Sequence, residues 1–457
     1  MPVRPLSKIR QLGFAMGSAA FTALERMLIL FLPFFYLPPA EYGVPNLISN
    51  QPYLKIVTVL GAALFLGRFV DGLADPLIAV LSDNCRARPG RRKVFLLASG
   101  LPLALTPVLL FFPPFPGGES AGNGLWLGLL LSLFYIAFTA YVNPYLAAMA
   151  ELGHSDHQRI NLSTLMALFG LLGMAGVTVL IPVAAGRMMN SGVTFRSAYQ
   201  WAAIGLAAVA LLLLYIVTLS FDEYKHCLPA EPQQVGLWSS FIQTVAVRPF
   251  RIFLAGEIFL QFAMNIITLG LLYYAVVLFQ KDEKFMALLA GLILGVALLC
   301  FPLVNRAAKK IGKKKVILAG VLLLAFCSLT IFLLSWKMSG VYYYLGIAIF
   351  GLAGLPLAIL TILINPTIAD LARAESIKTG QRREAMFYGA RAIPLKLAIA
   401  VAGLTFSFLL AAFGKDIARP LGIQLSVLLV SLASLGSFFF FFRYPEDEVA
   451  AWLGENK

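Results

Sequence analysis

Charge is what this 457-residue chain has least of. Asp, Glu, Lys and Arg make up 13% of it, against roughly 25% in soluble globular proteins, while 60% is hydrophobic. That balance excludes a soluble enzyme. No G-x-x-x-x-G-K-[ST] loop occurs in it, so an ATP-driven pump would lack its phosphate cradle. The four cysteines, Cys85, Cys227, Cys300 and Cys327, have no paired spacing, and neither a disulfide framework nor a zinc site is indicated. The opening MPVRPLSKIRQ has no short apolar region with a cleavage site, so no removed leader is expected. Apolar and polar residues do not alternate in ten-residue segments, which excludes an outer-membrane barrel.

What is present is a series of apolar stretches of about 20 residues or more, each long enough to cross a hydrocarbon core of about 30 Å. Pro, Gly and charge clusters divide them into twelve expected helices, near 12–37, 53–82, 94–113, 124–150, 162–186, 197–220, 249–279, 285–306, 315–336, 341–370, 386–414 and 419–443. Sorted by side, 24 of the 36 Lys and Arg fall with the two termini and 8 on the opposite side; Arg26, Arg68, Arg391 and Lys396 fall within helices. By the positive-inside rule both termini are expected in the cytoplasm. The net charge of +14 therefore reads as a topology signal, and nucleic acid is not an expected partner.

The chain also repeats itself. NCRARPGRRKVFLLASG resembles NRAAKKIGKKKVILAG at an offset of 222 residues, and the same offset carries Asn143-Pro144 onto Asn365-Pro366. Many transporters are built from such repeated halves. Two six-helix halves are expected, residues 1–221 and 249–457, joined by a cytoplasmic linker over 222–248 that contains FDEYKHCLPAEPQQ.

A few charges lie deep in the apolar segments. A charge at the bilayer centre costs about 2.5–3.5 kcal/mol, and such residues usually face a cavity or a partner. Arg68, Asp71 and Asp75 in the second segment are spaced i, i+3, i+7 and share one helix face. At 1.5 Å per residue Asp71 is about 16 Å deep, Lys396 about 15 Å and Glu25 about 20 Å. The 222-residue offset carries Arg68, Asp71 and Asp75 onto Ala290, Ile293 and Ala297, so the repeated scaffold does not itself require them. Two readings stand: an ion pair that holds the halves together, or a cation site, since two carboxylates one turn apart present up to four oxygens to a hard cation. The coupling ion would be sodium or a proton, because two adjacent ionised carboxylates repel unless one is neutralised. The metal expected on Asp71 and Asp75 is sodium; no other cofactor is expected.

LSDNCRARPGRRK, with Asp83 and Arg91 in place, resembles the loop between the second and third helices of the major facilitator superfamily. RFVDGLADP, NPYLAAMAEL and IADLARAESIKTGQRREAMFYGARAIPLK are similar, more narrowly, to the melibiose-carrier-like glycoside-pentoside-hexuronide:cation symporters, whose relatives include lysolipid symporters. The resemblance implies an all-α membrane protein of two pseudo-symmetric six-helix bundles, no enzymatic activity, and cation-coupled uptake by alternating access. It implies that Thr139 adds a hydroxyl to the cation site and that Lys396 is the coupling charge, with Arg68 beside them. Asp83 with Arg91 and Arg92, and Asp370 with Arg382 or Arg383, would be cytoplasmic latch contacts.

Departures from the family pattern bear on the ligands. Ala74 stands where the family often has Asn, removing one ligand oxygen, and Ala19, Val142 and Leu146 stand where sugar-binding members carry two aspartates and an aromatic. A simple galactoside is not the expected solute. Candidates for the substrate cavity are Glu25, Tyr141, Asn143, Gln261, Asn265 and Tyr388, each with a helix-helix contact as the alternative. The expectation is a monomeric symporter of a small organic solute in the plasma or bacterial inner membrane, surrounded by membrane lipid. A lysolipid or amphiphile transporter, an uncoupled exporter or uniporter, and a scramblase or receptor-like protein are the alternatives.

Overall fold

A computed structural model describes residues 5–52, 57–153, 156–227, 244–337, 339–379 and 384–453. The described chain is helical. In the first part lie α1 (Lys8–Tyr36), α2 (Val59–Asn84), α3 (Lys93–Leu110), α4 (Ala121–Leu152), α5 (Asp156–Asn190), α6 (Phe195–Ser220) and the single turn α7 (Glu223–His226). The second part holds α8 (Arg248–Tyr273), α9 (Glu283–Ile311), α10 (Lys313–Leu334), α11 (Val341–Leu352), α12 (Gly354–Thr379), α13 (Glu384–Phe413), α14 (Leu421–Arg443) and the short α15 (Glu446–Trp452).

Among the described residues eleven spans are long and apolar enough to cross a membrane, with α11 and α12 counted as one. The remaining long helix is α2, at 26 residues. Arg68, Asp71 and Asp75 at its centre keep it from qualifying on apolarity. With α2 the long helical segments among the described residues number twelve.

Local chemistry places the helix starts. Ser7, Thr58, Ser120 and Thr194 accept from backbone N–H groups of the first turns of α1, α2, α4 and α6, satisfying donors that have no partner inside the helix. The tenth expected helix is broken: α11 ends at Leu352 and α12 begins at Gly354. Pro356 has no N–H to donate to the Leu352 carbonyl four residues back, so the ladder is interrupted there. Past the break, α12 runs to Thr379, beyond the expected end near 370.

Two compact units make up the chain: Met1–Gln233 with Lys281–Ala287, and Gln234–Gln280 with Leu288–Lys457. Within the first, α1 packs on α5 and α6, α2 on α4, and α3 on α4 and α6. The α1–α5 approach is so close that a Cβ on Gly173 would lie 2.3 Å from the Ala19 carbonyl oxygen. The second unit is built on α8, α10, α12, α13 and α14, around Phe250, Phe253, Ile359, Leu363 and Phe441. Large apolar side chains such as Leu125, Leu219 and Leu299 point outward, 69–81% exposed. In a membrane chain such faces meet lipid tails.

Candidate functional site

On α2, Arg68, Asp71 and Asp75 share the face that packs on α4, and α4 answers with Tyr135, Thr139 and Asn143 at four-residue spacing. The Thr139 hydroxyl donates to Asp71 Oδ1 at 2.6 Å and reaches Asp75 Oδ1 at 3.5 Å. Asn143 Nδ2 donates to Asp75 Oδ1 at 3.2 Å. The Thr139 hydroxyl oxygen therefore lies within 3.5 Å of a carboxylate oxygen from each aspartate. Asp71 and Thr139 are each 1% exposed, and Asp75 is half-buried.

Arg68 ties this cluster to α1. Its guanidinium donates to Glu25 Oε1 at 2.7 Å and to Asp71 Oδ2 at 3.4 Å, and lies 4.3 Å from the Tyr135 ring centroid. Glu25 enters the charge network through Arg68, and its side chain keeps 22% exposure. The ring adds a cation–π contact, which gains strength where the cation is desolvated.

Other expected site residues lie elsewhere. Tyr141 is fully buried, and its hydroxyl donates to the Leu214 carbonyl of α6, which places it in helix packing and not on an open lining. Asn143 serves the carboxylate cluster. Gln261 and Asn265 are half-buried one turn apart on α8, with Asn265 Nδ2 donating to the Gln261 carbonyl. Lys396 is half-buried on α13. The Tyr388 and Asp83 side chains, and Arg382 and Arg383, lie outside the described residues.

The basic loop before α3 finds partners far away in sequence. Arg91 and Arg92 both meet Glu151 at the end of α4, at 2.7 and 3.3 Å, and Arg92 also donates to Ser82. Glu223 of α7 accepts from the backbone N–H groups of Arg92 and Lys93. It supplies the cap that α3 lacks from its own N-terminal residues. Burial, reinforced by Glu151 and Glu223, pushes the adjacent Cys227 thiol up. Asp370 pairs with Lys313 at the start of α10.

Deep in the second unit, Glu257 of α8 and Arg391 of α13 form a 2.5 Å ion pair, and Arg391 also donates to Asn365 at 2.9 Å. Glu257 and Arg391 thus join α8 to α13. Among the described residues no group of three or more His, Cys, Asp or Glu side chains could hold a metal ion. The α2–α4 cluster has two aspartates and a hydroxyl, which suits a weakly held hard cation of low charge more than a structural metal.

The family model described as MFS/sugar transport protein matches residues 13–447 of this chain. An uncharacterised symporter of Bacillus subtilis, YnaJ, is 23% identical over 417 residues, 90% of this chain and 84% of that protein. The isoprimeverose transporter of Lactiplantibacillus pentosus is 24% identical over 365 residues, 78% of this chain and 73% of its own. The inner membrane symporter YicJ of Escherichia coli is 23% identical over 427 residues, 91% and 85%. Among solved structures, the nucleoside transporter NupG overlays with a TM-score of 0.66 at 11% identity, covering 95% of this chain and 98% of that one. A bacterial homologue of the lysosomal transporter Spinster gives 0.67 at 12%, covering 97% and 98%. These structural likenesses concern the fold.

Proposed function

From the premise that the chain belongs to the MFS/sugar transport protein family, we propose that it is a symporter in which a cation held by Asp71, Asp75 and Thr139 drives a small organic solute across the membrane. The family makes it a membrane transporter and not an enzyme. The observation that carries cation coupling is the approach of an oxygen from each of Asp71 and Asp75 to the Thr139 hydroxyl in the interior of unit one. Three carboxylates and two guanidiniums make up the wider cluster, with Arg68 paired to Glu25 and Asp71 and the buried Arg26 acting electrostatically on Glu25 and Arg68, and a sodium ion or a proton would offset its remaining negative charge.

Lys396 is the proposed coupling charge: it would stand in for the cation when the carboxylates are unloaded and so disfavour movement of a half-loaded carrier. The names of several relatives support symport, and one is named for isoprimeverose. A simple galactoside remains a poor fit here. Leu146 presents an exposed aliphatic side chain, and Ala19, packed against Gly173 of α5, carries only a methyl, so neither position offers a polar side chain. Glu25, Gln261 and Asn265 are proposed cavity residues. Residues 222–248 are the proposed link between halves. Both termini are proposed to be cytoplasmic and the protein to act as a monomer in the plasma or inner membrane.

The test begins with thermal unfolding of the purified protein against solutes, with sodium, with choline and at several pH values. A solute that stabilises more strongly with the coupling ion identifies both. That solute, taken up by proteoliposomes under an imposed ion gradient, should be accumulated by wild type. Asp75→Asn should fold yet lose gradient-driven accumulation. Full coupling in that variant would refute the assignment.

A further inference from the structure

The strongest unexplained feature is a basic cavity in the second unit. It has a volume of about 510 Å³ where α9 turns through Gly312 into α10, and its walls carry four lysines, Lys309, Lys310, Lys313 and Lys315, against two carboxylates, Asp370 and Glu446. Both helices are membrane spans, so the turn lies at a bilayer boundary.

The internal repeat shows what is unusual about it. Gly90 and Gly312 occupy equivalent positions and both adopt positive φ, 119° and 90°. Arg91 and Arg92 correspond to Lys313 and Lys314. In the first unit Glu151 meets both arginines. The offset of 222 carries Glu151 onto Arg373, so the second unit has a cation where its counterpart has the neutralising carboxylate. Glu446 does take a part like that of Glu223, accepting from the Lys314 backbone N–H, and Asp370 pairs with Lys313. Among the described residues Lys309, Lys310 and Lys315 meet no carboxylate within ion-pair distance, and all three are exposed.

The apolar part of the wall says where an anion for these lysines would come from. Ile311 lines the same cavity and is 48% exposed, and Leu303, two turns back along α9, is 60% exposed. A free inorganic anion gains nothing from that surface. A phospholipid fits both, with its phosphate among the lysines and its acyl chains along α9.

We propose that this cavity is a binding site for the headgroup of an anionic phospholipid, held by Lys309, Lys310 and Lys315. The test is native mass spectrometry of the full-length protein released from detergent micelles containing equal amounts of dioleoylphosphatidylglycerol and dioleoylphosphatidylcholine. Wild type should retain the anionic phosphatidylglycerol in preference. The triple variant Lys309→Gln, Lys310→Gln, Lys315→Gln should bind it about a hundredfold more weakly, at roughly fivefold per lysine. Lys→Arg at the same three positions should preserve binding, as should Arg86→Gln with Arg88→Gln in the first unit, which controls for loss of rim charge in general. Unchanged retention in the glutamine variant would overturn the proposal. So would displacement of the lipid by an equal concentration of inorganic phosphate, which would mark a site for a soluble anion.

Discussion

Asn143 and Asn365 stand at the same place in the two repeats, each directly before a proline, and use opposite ends of the amide. Asn143 donates to the Asp75 carboxylate, whereas Asn365 accepts from the Arg391 guanidinium. One repeated residue thus serves a carboxylate cluster in the first unit and a cation in the second.

Thr139→Val keeps the volume of the side chain and removes the hydroxyl that touches both aspartates. Hydrogen bonds to charged groups contribute about 1.5–3 kcal/mol, so the concentration of coupling ion giving half-maximal thermal stabilisation should rise tenfold or more. The melting temperature without that ion should fall as well, because the hydrogen bond to the buried Asp71 carboxylate is lost. An unchanged ion dependence would remove Thr139 from the site.

Arg68→Gln strips the partner from Glu25 and Asp71 together. Breaking a buried pair from one side costs about 3–5 kcal/mol, and here two carboxylates are left behind. A large fall in melting temperature is expected, and adding Glu25→Gln should restore part of it. If the double variant is no more stable than the single one, the two side chains do not interact as described.

Glu257 and Arg391 should respond unequally. Glu257 has a side chain only 2% exposed, while that of Arg391 is 15% exposed and keeps Asn365 when its acid is lost. Arg391→Gln should therefore lower the melting temperature more than Glu257→Gln. Equal losses would contradict the difference in environment.

His226 accepts from Arg10 through Nε2 at 3.0 Å, because a guanidinium can only donate. Its Nδ1–H then donates to the Asp222 carbonyl. Burial, with the Arg10 charge adding to it, holds the imidazole below its usual value of 6.5. The folded state binds fewer protons, so the contribution of His226 is complete above about pH 6.5 and is lost as pH falls through the lower folded-state value. His226→Gln should flatten the dependence of melting temperature on pH over that acidic window. The slope should otherwise match that of wild type.

The repeat, the helices and the aspartate pair were legible because each follows from spacing along the chain: 222 residues, apolar runs, and i, i+3, i+7. Tyr135 carried a signal of the same kind, since Tyr135, Thr139 and Asn143 fall at four-residue intervals and so on one face of α4. It escaped because an aromatic in an apolar helix resembles ordinary packing. Tyr141, in the same helix, turns the other way and packs on α6. The Arg92 partners were beyond reach by spacing: Glu151 is 59 residues away and Glu223 is 131, and each reads in sequence as a plain acidic residue near a helix end. The join between Glu257 and Arg391 likewise depends on how α8 meets α13, which no local pattern encodes.

Three charges at the centre of α2 bear on how the protein is made. At about 2.5–3.5 kcal/mol each on insertion scales, Arg68, Asp71 and Asp75 make α2 a poor candidate for entering the bilayer alone. Glu25 is synthesised earlier and can meet Arg68 as α2 emerges; Tyr135 and Thr139 come more than 60 residues later. Biogenesis would then have to keep α2 beside α1, in the insertion machinery or at the membrane interface, until α4 arrives. The cluster assigned to transport would set the order of assembly as well.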